Sequence, residues 1–260
     1  MTNATAGPYI FISGASRGIG LHIIYTLAER IPSATIFAGA RDPSSSNELN
    51  EFASKHPNVK VVKLVADDAE SNKQAVEKIK KVTGRLDIVV ANAGIATQPE
   101  PIHTSDPKVY NEMFQVNTLG PLYMYQATYP LLIESRANNT DKNVPAPKFF
   151  ITSSALGSLG GFYEGFIVAP YGISKAAVDY LALSIHHQTK DVGAVVIPYH
   201  PGLVLTDMNT KNNPNLHLLP PGISPEQSAA EYADLIQKAT REEHGGKLWG
   251  QGNTEQPLPW

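Results

Sequence analysis

Tyr9 to Ile24 reads YIFISGASRGIGLHII. Five β-branched, aromatic and small residues run into three glycines, Gly14, Gly18 and Gly20, and then into an apolar segment with helical spacing. This order predicts a buried strand over Tyr9–Ser13, a tight turn, and a helix that opens at the turn. Gly14 permits the turn, Gly18 lets the backbone come close to a ligand, and Gly20 lets the helix pack against the strand. The free N–H groups and positive dipole end of such a helix suit a phosphate.

The same alternation continues outward from this unit. ATIFAG, VKVVKLV, LDIVVA, KFFITS and AVVIPYH are further strand candidates, and GKLW is a short last one. Helical patterns lie over Ser71–Val82, Lys108–Ser135 and Tyr171–Thr189. Apolar strands that alternate with helices predict an α/β fold, a doubly wound parallel sheet covered on both faces. One domain spanning residues 1–260 is expected, with a substrate loop over about 207–224. The polar segment SRANNTDKNVPAPK reads as a surface excursion near a subunit contact, and Trp260 is expected to pack on the domain or on a partner.

The chain has 260 residues, a net charge of −3, no basic run and no cysteine. Those features give no basis for binding nucleic acid or an anionic membrane, and they remove disulfides and thiolate chemistry. No basic-then-apolar leader and no long apolar run is visible, so a cytoplasmic protein with neither membrane span nor metal is expected. The sequons at Asn3 and Asn138 read as chance matches.

PYGISKAAVDY, Pro170–Tyr180, sets Tyr171 and Lys175 one helical turn apart. A free phenol titrates at about pH 10, and a neighbouring cation lowers that value. The pair is therefore expected to form a tuned acid/base. FFITSSALG carries Ser153 and Ser154, FQVNTLG carries Asn117, and YHPGLVLTDM carries Pro201, Gly202, Val204 and Thr206.

With the Gly-x-x-x-Gly-x-Gly spacing, these motifs resemble the short-chain dehydrogenase/reductase family over nearly the whole chain. The resemblance implies a Rossmann-type fold, a nicotinamide dinucleotide and a homodimer or homotetramer paired through long helices. It implies that Asn117, Ser154, Tyr171 and Lys175 are catalytic. Ser154 would polarise a carbonyl, with Ser153 as the alternative. Tyr171 would exchange the proton, Lys175 would tune Tyr171 and hold the ribose, and Asn117 would hold a relay water. The cofactor would be contacted by Gly14, Ser16, Arg17, Gly18, Ile19 and Gly20, and by Arg41, Asp67 and Asp68. Asn92, Ala93 and Gly94 of an ANAG element, Tyr171, Lys175, Pro201, Gly202, Val204 and Thr206 complete the set. Asp68 can equally cap the following helix.

Ala40 stands where an NAD site usually has an acid, and Arg41 follows it. Arg17 and Arg41 together suit a 2′-phosphate, so NADP(H) is expected, with Asp42 as the complication. Ser154 and Tyr171 are 17 positions apart, longer than is usual in the family, and the extra residues are read as a rim loop. Phe162, Tyr163, Phe166, Ile167, Met208, Leu216, Leu218 and Leu219 are expected to wall an apolar pocket, with Glu164 and His217 as polar anchors. The finer pattern is similar to fungal ketoreductases related to norsolorinic acid ketoreductase. The expected activity is NADPH-dependent reduction of a bulky or aromatic ketone. Alcohol oxidation by the same residues, and a non-redox biosynthetic role, stay open as alternatives.

Overall fold

The computed structural model describes residues 7–137, 145–212, 221–253 and 255–260. Strands β1 (Tyr9–Ser13), β2 (Thr35–Ala40), β3 (Val59–Lys63), β4 (Ile88–Ala91), β5 (Lys148–Thr152), β6 (Val195–His200) and β7 (Trp249–Gly250) form one sheet. Its order is β3-β2-β1-β4-β5-β6-β7 and every pairing is parallel. Ile10 pairs with Ile36 on one side and with Ile88 on the other, which fixes the central register. The seven-stranded Rossmann-like sheet agrees with the sequence reading, except that the last strand is Trp249–Gly250, at the end of GKLW and beyond it.

Helices cover both faces: α1 (Gly18–Arg30), α2 (Asn47–Lys55), α3 (Ala69–Lys80), α4 (Pro107–Phe114), α5 (Gly120–Tyr129), α6 (Ser135–Ala137), α7 (Ala169–Gln188), α8 (Asp207–Asn212) and α9 (Pro225–Lys238). Side chains alternate across the pleat, so the strands feed two cores. Ile10, Ile12, Ile36, Val90 and Ile197 face Leu21, Ile24 and Leu27 of α1 and Tyr232 of α9. Phe11, Phe37, Val89, Phe149 and Val196 face Ile79 of α3, Met124 of α5 and Val178 and Ile185 of α7. Burial on both faces is what a parallel sheet with crossover helices requires.

The long helix expected over Lys108–Ser135 is not continuous. π-helical turns at Gln115–Leu119 and Pro130–Glu134 divide it. Asn117 lies in the first, where its side chain takes backbone partners outside the helix. Pro130, which has no N–H to give, opens the second.

A buried ion network locks the base of the sheet. Asp87 accepts from the Tyr9 backbone N–H at 2.7 Å and pairs with Arg85 and with the buried Arg136. At the other end of the chain Trp260 is 42% exposed within the single copy, and its main-chain oxygen accepts from the Gly160 N–H.

Candidate active site

The polypeptide leaves the sheet in opposite directions at β1 and β4, and a cleft of about 860 Å³ opens there over the carboxyl ends of the strands. At its floor Gly14 and Gly18 adopt positive φ, +66° and +57°. A Cβ on Gly14 would stand 2.9 Å from the Ala93 Cα, and one on Gly20 would stand 2.3 Å from the Gly14 carbonyl oxygen. The turn therefore exists only without side chains at these positions. Arg17 caps α1 without a side-chain bond, and no acidic residue lies in the first turn. Gly18 and Ile19 of the first turn of α1 line the cleft, and the unpaired N–H groups of a helix start are a donor set that suits a pyrophosphate.

Asn92 braces this turn. Its Nδ2 donates to the Ser13 and Gly14 carbonyls at 3.2 and 3.4 Å, and its Oδ1 accepts from the Thr152 hydroxyl at 3.1 Å. The Ser13 hydroxyl accepts from the backbone N–H groups of Asn92 and Ala93, both at 3.0 Å. Ser13 and Thr152 were not legible as site residues, because each reads as an ordinary strand terminus.

Gly14, Ser16, Arg17, Gly18, Ile19, Arg41, Asp67, Asn92, Ala93, Gly94, Pro201, Gly202, Val204 and Thr206 all line the cleft. Gly20 lies beneath it, buried against the turn. Asp68 is not among the lining residues. Its carboxylate caps α3, accepting from the N–H groups of Glu70 at 2.8 Å and Ser71 at 3.0 Å. Asp42 is likewise committed to its own turn, accepting from the Ser44 N–H at 3.1 Å and the Ser44 hydroxyl at 2.6 Å. Arg17 approaches Asp207 at 3.7 Å, with both side chains largely exposed. Glu48 also lines the cleft.

Ser153, Ser154, Tyr171 and Lys175 line the other end. The Ser154 hydroxyl accepts from the Leu156 N–H at 3.2 Å and lies near enough to the Tyr171 phenol to favour its ionised form. Lys175 is buried, its ammonium donates to the Thr152 carbonyl at 2.8 Å, and it stands 5.5 Å from the centroid of the Tyr171 ring. Asn117 is buried behind them. Its Oδ1 accepts from the Ile95 N–H at 2.9 Å, and its Nδ2 donates to the Ile95 carbonyl at 2.9 Å and to the Ser174 hydroxyl at 3.0 Å. A Cβ on Gly94 would meet both Asn117 Oδ1 at 3.1 Å and Lys175 Nζ at 3.7 Å, so glycine leaves the two polar atoms room on either side of it.

The electrostatics correct one expectation. Burial pushes the Tyr171 phenol up to about 12, with Asp179 adding to the rise and the nearby Ser154 hydroxyl opposing it. Burial also lowers Lys175 to about 8, against the pull of Asp179. In the protein itself desolvation therefore outweighs the cation as an influence on the phenol. The Tyr171 proton is held, which suits a donor.

The rim is uneven. Tyr163, Phe166 and Met208 line the cleft, while Phe162, Ile167 and Glu164 are exposed outside it. Leu216, His217, Leu218 and Leu219 lie outside the described residues, as does the core of the expected substrate loop. The base of that loop is pinned, since Leu205 N donates to Ile223 O and Ile223 N to Leu203 O, both at 2.9 Å. The rim segment is tied to the tail: the Ser158 hydroxyl donates to the Pro259 carbonyl at 2.6 Å and accepts from the Gly161 N–H at 2.8 Å.

Among the described residues no cluster of three or more His, Asp or Glu is placed to hold a metal ion, and no helix is long and apolar enough to cross a membrane.

This arrangement has close parallels. An uncharacterized oxidoreductase of Schizosaccharomyces pombe is 32% identical over 252 residues, covering 94% of this chain and 95% of its own. The short chain dehydrogenase gsfK of Penicillium aethiopicum is 30% identical over 244 residues, covering 91% and 94%. Among solved structures, the carbonyl reductase Sniffer of Drosophila melanogaster superposes with a TM-score of 0.86 at 25% identity, covering 98% of this chain and all of that one. An NADPH-bound carbonyl reductase from chicken fatty liver superposes with a TM-score of 0.82 at 26% identity, covering 98% and 99%. Residues 8–144 match the short chain dehydrogenase family itself. With the glycine turn, the parallel sheet and the Ser154–Tyr171–Lys175 end of the cleft already in place, the chain belongs to the short-chain dehydrogenases, oxidoreductases that use a nicotinamide dinucleotide.

Proposed function

We propose that the protein is an NADPH-dependent carbonyl reductase acting on bulky or aromatic ketones. The observation that carries this reading is the meeting of Ser154, Tyr171 and Lys175 in the same cleft as the glycine turn of β1 and α1. Bound NADPH would supply the hydride for the carbonyl carbon. Ser154 donates a hydrogen bond to the carbonyl oxygen as negative charge develops there. Tyr171 delivers its phenolic proton to that oxygen, and Lys175, one turn below, steadies the phenolate left behind. Asn117, braced across Ile95 and Ser174, holds the helix open beside Lys175 for proton return from solvent.

In this reading Gly14, Ser16, Gly18 and Ile19 would hold the cofactor's pyrophosphate, and Asp67 would accept from its adenine. Asn92, Ala93, Gly94, Tyr171 and Lys175 would hold the ribose of the nicotinamide, and Pro201, Gly202, Val204 and Thr206 its carboxamide. Arg41 and Arg17 favour a 2′-phosphate. The commitment of Asp42 to its own turn supports that preference, because it withdraws the nearest carboxylate. The bulky-ketone reading rests on Tyr163, Phe166, Leu205 and Met208 at the cleft wall. Ile173 and Tyr180 on the outer face of α7 are 55% and 74% exposed, which supports pairing of two copies through this helix.

The test is loss of NADPH absorbance with a panel of aryl and alkyl ketones, and the same panel with NADH. Turnover with NADPH on the aryl ketones is expected. No turnover with any ketone, or a preference for NADH, sinks the reading.

A further inference from the structure

One titratable side chain at the catalytic end has no part in that account. Tyr171, Lys175 and Asp179 are spaced by four along α7 and so share one face. Asp179 is only 4% exposed. A carboxylate so buried needs a partner, and it has one from another element: the Ser153 hydroxyl donates to its Oδ1 at 2.5 Å. Ser153 is fixed in turn, its N–H donating to the Tyr199 carbonyl of β6 at 2.8 Å, and it directly precedes Ser154.

We propose that Asp179 is a positioning residue of this reaction: anchored through Ser153 to the strand end that carries Ser154, it sets the charge state of the Tyr171–Lys175 pair. The proposal rests on the reductase reading and deepens it.

The surroundings leave Lys175 as the charge that acts on Asp179. The elements packed most extensively on α7 are the 3₁₀ turn Ala155–Gly157, the π turn Gln115–Leu119, α4 and β6, with β5 also against it. The titratable residue of β5, Lys148, is turned to α9, where it donates to the Ile236 and Gln237 carbonyls. Neither turn carries a titratable residue. On α4, Lys108 and Glu112 are exposed, and the Tyr110 hydroxyl is bonded to Ser105. On β6, burial raises Tyr199 and lowers His200 to about 4, so both are neutral near pH 7. Burial lifts Asp179 itself to about 7, opposed by the Ser153 bond and by Lys175. Its negative charge in turn raises both Lys175 and Tyr171. Ionised Asp179 therefore holds a proton on each, and without it both release their protons at lower pH.

Asp179→Asn keeps an acceptor for the Ser153 hydroxyl and removes only the charge. The alkaline limb of the ketone-reduction profile, where Tyr171 must still hold its proton, is expected to move down by about one pH unit. Asp179→Glu should restore it. A kcat lowered equally at every pH, with the limb unmoved, would mark a merely structural residue and overturn the proposal. Ser153→Ala removes a bond that favours ionised Asp179, but Asp179 still ionises well below the alkaline limb, so that limb should stay in place; a shift as large as that of Asp179→Asn would overturn the proposal. A second readout needs no turnover. The phenolate absorbance of Tyr171, taken as the difference between each protein and its Tyr171→Phe counterpart, should titrate at lower pH in Asp179→Asn. An unmoved signal refutes the role of Asp179. A moved signal in a protein that reduces no ketone supports that role and refutes the reductase reading.

Discussion

At the β1–α1 turn the protein makes its site by leaving side chains out; at the β5–α7 edge it does so by burying charged ones. The turn is a backbone device. Gly14 and Gly18 occupy positive φ, Gly20 lies against a carbonyl, and Asn92 ties the loop down from β4. The other end is electrostatic. Tyr171, Lys175, Asp179 and Ser153 share a region where desolvation dominates every titration. The first device fails by steric collision and the second by misplaced charge, so the two ends should respond differently to substitution.

The largest effect is expected at the charged end. Tyr171→Phe should lower kcat by about a thousandfold while NADPH binding, followed by its fluorescence, changes little. Comparable losses of binding and turnover would erase the distinction between the two ends. At the backbone end, Gly20→Ala drives a Cβ to 2.3 Å from the Gly14 carbonyl oxygen. It should destabilise the fold by roughly 2 kcal/mol in a denaturant titration, and weaken cofactor binding along with stability. A Gly20→Ala protein of unchanged midpoint would show that the turn relaxes freely.

Arg41→Asp probes the boundary of the same end. It should shift the ratio of kcat/KM for NADPH over NADH by about tenfold toward NADH, the scale of one charge-assisted hydrogen bond. The smallest effect belongs to the rim. Ser158→Ala frees the segment Ser158–Gly161 from the Pro259 carbonyl, and KM for a bulky ketone should rise about threefold with kcat unchanged, the scale of one neutral hydrogen bond. A fall in kcat instead would mean that this rim reaches the reacting atoms.

The same contrast explains what could be read from the sequence. Glycine is conspicuous by type, so the β1–α1 turn and the strands around it were legible, as was the parallel sheet from its unbroken apolar runs. Tyr171, Lys175 and Ser154 were legible through their spacing and order. Asp179 was not, since a single acid in an apolar helix reads as a solvated face until a partner from another element is seen. Ser153 was named only as a substitute for Ser154, and the structure gives it a partner of its own. The rise of the Tyr171 phenol could not be read either, because desolvation depends on what packs around a group and not on its neighbours in the chain. The breaks in the segment from Lys108 to Ser135 had a visible signal in Asn117 and Pro130, but each π turn adds a single residue between otherwise α-helical stretches, and the helical pattern on either side conceals it. α2 was missed although Leu49, Phe52 and Ala53 carry a helical period, because that period spans only nine residues, and Leu49 alone is fully buried.

The order of the strands bears on how the chain is made. β1 is synthesised first yet lies inside the sheet, between β2 and β4. Once Lys63 has left the ribosome, β1, β2 and β3 can pair, but Ile10, Phe11 and Ile12 keep a bare, apolar edge until Ile88–Ala91 follows. At about 5–20 residues per second that interval lasts seconds, long enough for a half-built sheet to find the same edge on another nascent chain. Slower translation between Lys63 and Ile88 lengthens that exposure, and a chaperone that covers the edge of β1 shields it in the interval.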